Sequence, residues 1–181
     1  MVDDDILEKL DHSAVNTGIF FPRPDPGHPP PPGSRDLFAQ VPPGDRVALR
    51  FHPSSPELPT VLHFHGNGEI VSDYDPLAPV FHSMGASVIF AEYRGYGRST
   101  GRPSMSALVR DAHFVLDTVL ETLQQEGHTG PLVVMGRSLG SAPAIELASS
   151  RSDEMVGLIV ESGFARTLPL LGLLGITVSF L

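Results

Sequence analysis

The sequence predicts an α/β protein of three layers: a mostly parallel sheet between helices, opened by an antiparallel hairpin. Three observations predict it. Short apolar runs recur at 60–64, 87–92, 132–135 and 156–160, each bounded by turn residues, which suits strands buried on both faces. Helical stretches lie between them at 69–84, 104–125 and 139–149. The middle one carries Met105, Leu108, Val109, Ala112, Val115, Leu116, Val119, Leu120 and Leu123, a single apolar stripe at helical spacing. Ahead of these, 37–41 and 46–51 flank Pro42-Pro43-Gly44-Asp45, punctuation that turns a chain back on itself as a hairpin. Alternating strands and helices after such a hairpin wind into a doubly wound sheet.

Residues 1–36 read as a separate Pro-rich arm. Pro22, Pro24, Pro26 and the run Pro29 to Pro32 remove backbone donors and hold extended geometry, so an irregular segment packed on its own domain is expected there. The domain itself is expected over 37–181. A chain of 181 residues with a 41% hydrophobic fraction is long and apolar enough for one domain with a sizeable core.

Charge and composition exclude several classes. The formal net charge is −9, and Lys9 is the only lysine, so no basic patch offers itself to a phosphate backbone and a nucleic-acid partner is not expected. With no cysteine, disulfides, thiolate metal sites and a Cys nucleophile are excluded. His63 and His65 alternate along one strand, but no carboxylate is spaced with them as a third ligand, so no metal is expected. No Walker A loop or dinucleotide fingerprint is present, and no cofactor is expected. The acidic start Asp3-Asp4-Asp5 is unlike a secretory signal. The uncharged run 167–181 is shorter than the roughly 18 residues of a membrane span. A soluble cytoplasmic protein is therefore expected, with the apolar stretch 168–181 as a candidate surface for self-association.

The pattern G-x-S-x-G occurs twice, as Gly97-Arg98-Ser99-Thr100-Gly101 and as Gly136-Arg137-Ser138-Leu139-Gly140. A nucleophile elbow needs a strand running straight into a sharp turn and then a helix, with small flanking residues to permit the strained backbone. The second copy meets this, because 132–135 leads in and a helix follows, with Pro143 in its first turn where a missing N–H costs least. In the first copy, Tyr93-Arg94-Gly95-Tyr96 separates strand from serine and Pro103 delays the next helix. Ser138 is thus the candidate nucleophile and Ser99 a loop serine. Attack by a serine builds an oxyanion that needs donors. The Leu139 N–H follows the nucleophile directly, and the second donor is expected from the loop after the third strand. That loop is His65-Gly66-Asn67-Gly68, with the Asn67 N–H as the candidate and Gly66 and Gly68 letting the backbone approach a substrate closely.

His65-Gly66-Asn67-Gly68, Tyr93-Arg94-Gly95-Tyr96-Gly97-Arg98-Ser99 and Gly136-Arg137-Ser138-Leu139-Gly140 stand in order at the ends of successive predicted strands. Together they resemble the α/β-hydrolase superfamily, specifically the bacterial serine-hydrolase branch with a Tyr-Arg-Gly-Tyr-Gly loop, from about residue 37 to the end. The resemblance implies that the Tyr-Arg-Gly-Tyr-Gly loop is mostly architectural, Arg94 and Ser99 included, and that Asp111 anchors a loop. It also implies a triad in the order Ser, acid, His. All eight histidines (His12, His28, His52, His63, His65, His82, His113 and His128) precede Ser138. The chain stops just after the sixth strand of the family pattern, so the C-terminal strands, the lid and the usual Asp and His are expected to be missing. His65 is normally structural in such proteins. Glu161, ending the sixth strand, is the candidate acid; its other reading is a residue that holds a loop. Two classes stay open. One is a serine hydrolase cleaving an ester, thioester or amide of a small-molecule acyl substrate through an acyl-Ser138 intermediate. The other is a catalytically inert α/β-hydrolase-like module that acts through binding.

Overall fold

A computed structural model describes Asp11 and residues 13–163. Helix α1 (Ser13–Ile19) leads through an extended segment to strands β1 (Arg35–Val41) and β2 (Asp45–His52). Strand β3 (Thr60–Phe64) is followed by a 3-10 segment, Val71–Leu77, and a short α2 (Ala78–Ser83). Next come β4 (Ser87–Ala91), the long α3 (Met105–Gln125) and β5 (Leu132–Arg137). A 3-10 turn at Ser138–Gly140 enters α4 (Ser141–Ser150), and β6 (Gly157–Glu161) follows. The six strands form one sheet in the order β1-β2-β4-β3-β5-β6. Strand β1 pairs antiparallel with β2, and β2 antiparallel with β4; β4, β3, β5 and β6 are mutually parallel. This is the predicted three-layer α/β fold with its opening hairpin.

Side chains alternate across the sheet, and each face has its own core. Leu62, Phe64, Ile89 and Val134 pack with Leu108, Val115, Leu116, Val119 and Leu147 of α3 and α4. On the opposite face Val61, Val88 and Phe90 meet Val71, Tyr74 and Ala78. Each large aliphatic side chain buried this way contributes about 2 kcal/mol. Ser104 caps α3, its hydroxyl accepting from Ala107 N, which satisfies one of the free donors at a helix start. The buried Arg50 guanidinium on β2 bonds Asp36 of β1 and Asp75 of the 3-10 segment, each at 2.7 Å, and ties the hairpin to the layer beneath it.

Four local readings are corrected. The helix expected over 69–84 is divided, because Pro76 lies within it and removes a backbone donor. The helix expected from 139 opens as a 3-10 turn, with the Ser141 N–H bonded to the Ser138 and Leu139 carbonyls. Pro143 cannot donate back to Leu139, so the first turn closes by tighter bonds. Among the described residues strand β6 stands at the edge of the sheet, with Leu158, Ile159 and Val160 exposed, unlike β3 and β4, which are buried throughout. The arm, expected to lie outside the core, includes α1 and sends Ile19 and Phe20 into the core. Its prolines begin only at Pro22, so they do not constrain the apolar pair before them. The apolar stretch 168–181 lies outside the described residues.

His63 of β3 is 2% exposed, and its Nδ1 finds no partner among the described residues. Burial, helped by the neighbouring His65, pushes its pKa from 6.5 down to about 4. As pH falls below 6.5, the unfolded chain takes up a proton at this position that the folded chain refuses until about pH 4, so stability drops across that window. The expected loss approaches about 3 kcal/mol. Urea unfolding at pH 7 and pH 4.5 checks it: His63→Phe, a ring suited to the neighbouring Tyr74 and Phe90, should lose clearly less stability over that interval than the wild-type chain.

Candidate active site

Strand β5 ends in an abrupt reversal. Ser138 has φ +49°, and among the described residues only Ser162 shares a left-handed backbone without being glycine. Such a conformation costs an L-residue about 1–2 kcal/mol and persists where its surroundings over-determine it. The surroundings here are backbone atoms. A Cβ at Gly136 would stand 2.2 Å from the Gly140 carbonyl oxygen, and one at Gly140 would stand 2.2 Å from that of Phe64 and 2.8 Å from that of His65. Both flanking glycines are therefore required by the approach of β5, the start of α4 and the end of β3. The Ser141 hydroxyl donates to the Ser138 carbonyl at 2.6 Å, closing the turn. Ser138 is half-buried at the strand end, and the Leu139 N–H lies in the first helical turn, where donors lack intrahelical partners.

The loop His65-Gly66-Asn67-Gly68 leaves β3, which pairs with β5 through Phe64 and Gly136, so it borders the elbow. Glu69 holds it there. One of its oxygens accepts from the Gly66 N–H at 2.6 Å and from the Tyr74 hydroxyl at 2.5 Å, and the other pairs with Arg137, the residue before the nucleophile. Burial first, and then the Glu69 carboxylate, raise the Tyr74 pKa well above its ordinary 10, which keeps the phenol a donor. A Cβ at Gly66 would stand 2.6 Å from Arg137 Nη1 and 2.8 Å from Glu69 Oε2, so a side chain there would displace the ends of this ion pair. Gly68 takes φ +74°, a turn of the backbone directly after Asn67. Glu69 was not singled out from the sequence, although its place directly after the glycine loop was the available signal.

The first G-x-S-x-G copy has a different role. Ser99 Oγ accepts from the Ala48 N–H at 2.9 Å and Thr100 Oγ1 from the Arg46 N–H at 2.9 Å, so the copy stitches its loop to β2. Its glycines make room for carboxylates: a Cβ at Gly97 would stand 1.9 Å from Glu92 Oε1, and one at Gly101 2.5 Å from Asp45 Oδ2. Arg94 bonds both oxygens of Asp111 at 2.6 Å and reaches Asp45 at 3.1 Å and the Pro42 carbonyl at 2.6 Å. Burial raises the Asp111 pKa, partly opposed by Arg94. Arg94 thus joins its loop to α3 and to the hairpin turn, and Ser99 joins it to β2.

The described histidines are held at other places in the fold. His65, fully buried, has Nδ1 2.7 Å from the Gly66 carbonyl and Nε2 2.9 Å from Glu92 Oε2, which leaves no nitrogen to receive a proton from Ser138. Glu92 also accepts from the Val71 N–H at 2.9 Å. His52 and His82 are gathered near Asp75 and β2, His113 faces Glu146 at 3.6 Å between α3 and α4, and His128 stacks near Phe51. Glu161 stands opposite Arg137 across the β5–β6 pair, 3.3 Å from its Nε, at the rim of a cavity of about 460 Å³ that His63 and Met135 also line. Arg137 thus joins the candidate acid to Glu69. Among the described residues no group of three or more His, Asp or Glu could hold a metal ion, and no helix is long and apolar enough to cross a membrane.

A parallel sheet with an opening hairpin, a left-handed serine between strand and helix, and a glycine loop beside it define an α/β-hydrolase. The family described as serine aminopeptidase, S33, matches residues 56–174, and the chain belongs to it. Protein bem46 of Schizosaccharomyces pombe is 37% identical over 118 residues, 64% of this chain and 39% of that protein. The α/β hydrolase domain-containing protein WAV2 of Arabidopsis thaliana is 32% identical over 142 residues, 77% of this chain and 46% of its own length. The chain thus spans less than half the length of these relatives. Among solved structures, a soluble variant of monoglyceride lipase from Saccharomyces cerevisiae has the same fold, with a TM-score of 0.61 at 21% identity, over 78% of this chain and 48% of that one.

The crowding around the elbow has a measurable consequence. Gly140→Ala forces a methyl onto the Phe64 carbonyl and is expected to cost about 3 kcal/mol or more, the range of severe overpacking. Gly157→Ala, at a β6 position where a Cβ meets nothing within 4 Å, should change stability by less than about 1 kcal/mol. Denaturant unfolding of the two variants reads the difference.

Proposed function

We propose that this chain carries the nucleophile and oxyanion-stabilising part of a serine hydrolase that cleaves an ester, thioester or amide of a small acyl compound. The observation that carries the reading is Ser138, held at φ +49° between strand and helix with the glycine loop packed against its elbow. Its Oγ attacks the substrate carbonyl carbon, a new C–O bond forms, and the carbonyl oxygen becomes an oxyanion. The N–H groups of Leu139 and Asn67 receive that charge, the role of prearranged backbone donors in acyl transfer. Collapse expels the alcohol, thiol or amine with a proton and leaves acyl-Ser138; water then releases the acid.

The serine proton must go to a base. His65, nearest the elbow in the sheet, is committed at both nitrogens, and that commitment favours a second reading, an inert module of the same fold that acts through binding. The two readings part in one experiment on the full chain. A fluorophosphonate probe should label the wild-type protein once per chain and fail to label Ser138→Ala, with p-nitrophenyl acetate hydrolysis lost in the same variant. A folded wild-type protein that takes no label overturns the hydrolase reading in favour of the inert module.

A further inference from the structure

The segment after α1 runs as a strap against the glycine loop and the Tyr96-Gly97 turn. Ile19 and Phe20 anchor it in the core at 2% and 4% exposure. Beyond them, the Arg23 carbonyl accepts from the Gly97 N–H at 2.9 Å, Asp25 N–H donates to the Gly97 carbonyl at 3.2 Å, and the Arg23 guanidinium grips Asp73 at 2.5 Å. Between these anchors the Phe21 N–H points at two acceptors, the Tyr96 hydroxyl at 2.9 Å and Asn67 Oδ1 at 3.1 Å. The Tyr96 hydroxyl donates onward to Asn67 Oδ1 at 2.7 Å, and Asn67 Nδ2 donates to the Ile19 carbonyl. Both polar ends of the Asn67 side chain are therefore engaged by the strap and by Tyr96. Phe21 itself lies along the loop, its Cβ 4.0 Å from where a side chain would begin at Gly68.

This arrangement bears on the oxyanion site. Asn67 is the candidate donor through its backbone N–H, and a side chain held at both ends restricts the backbone that carries it. Oxyanion donors act because they are fixed before charge develops, and a misplacement of about 1 Å can cost as much as 100-fold in rate. We propose that residues 19–23 are a positioning element of the site, which hold the Asn67 N–H in register with Ser138 through the Asn67 side chain and the Tyr96 hydroxyl. The proposal rests on the acyl-serine reading above. Burial pushes the Tyr96 pKa from 10 up to about 12, so its hydroxyl stays a donor at neutral pH and the latch does not open by titration.

The test uses the full chain, two variants and a control. Tyr96→Phe removes one hydroxyl from the latch and keeps the buried ring; Asn67→Asp keeps the acceptor but loses the donor to Ile19. Ser99→Ala removes a hydroxyl of the same loop that serves Ala48 rather than the strap. Hydrogen exchange should rise over residues 19–23 and 65–70 in both latch variants, with α3 and β4 protected as in the wild type. Fluorophosphonate labelling should show kinact lower by about 10-fold with KI changed less than about 2-fold, the signature of a misplaced donor rather than a lost binding contact. Ser99→Ala should match the wild type in both. A latch variant that loosens the strap without lowering kinact overturns the proposal, as does one that leaves exchange over 65–70 unchanged. If one variant fails to fold, the other decides. A wild-type chain that takes no label overturns the acyl-serine reading, and the exchange data still decide whether the strap holds the loop.

Discussion

The end of β5 and the end of β3 approach so closely that no side chain fits between them. The carbonyl oxygens of Phe64 and His65 occupy the space a Cβ of Gly140 would need, and the Gly140 carbonyl occupies that of Gly136. With both neighbours reduced to backbone, the chain between them has little choice, and Ser138 takes the left-handed conformation the reversal demands. Everything proposed about the site depends on this packing. It sets the serine at the strand end, brings the glycine loop beside it, and starts α4 where the Leu139 N–H has no intrahelical partner.

Around that contact, carboxylates do the holding. Glu69 gathers the Gly66 N–H, the Tyr74 hydroxyl and Arg137. Glu92, 1% exposed, joins His65 to the Val71 N–H, and Asp45 receives Arg94 and Thr100. Each lies against a glycine whose Cβ would collide with it: Gly66, Gly97 and Gly101. A charge taken from water is costly unless its hydrogen-bond capacity is filled, and each of these carboxylates occupies space that a side chain on the facing glycine would take. The glycines of the two loops therefore serve their acids as much as their turns.

The two G-x-S-x-G segments show how one pattern serves two ends. In the second, the glycines admit neighbouring backbone; in the first, they admit carboxylates, and the serine bonds a strand amide. The same five-residue spelling supports an elbow only where a strand feeds it directly. Family membership and fold follow from the chain as a whole, whereas chemistry is a property of the assembled site.

The order of strands and helices was legible from residue pattern alone, because strand and helix repeats of 2 and 3.6 residues are local properties of the chain. The hairpin, the stripe on α3 and the choice of Ser138 over Ser99 were read from neighbours in sequence. The break at Pro76 was missed, since the apolar spacing around it masked the lost donor, as was the exposed edge of β6, which depends on which strand lies beside it. Tertiary structure alone decided the rest. Glu69 and Arg137 are 68 residues apart, Phe21 and Tyr96 are 75 apart, and Ile19 and Phe20 are buried in a core built by residues far along the chain. The sequence by itself determined that a serine would stand in an elbow at the end of a parallel strand, because strand, glycines and helix are contiguous there. What holds the loop beside that serine, and that His65 is engaged at both nitrogens, arise from contacts between distant segments, and no local pattern encodes such distances.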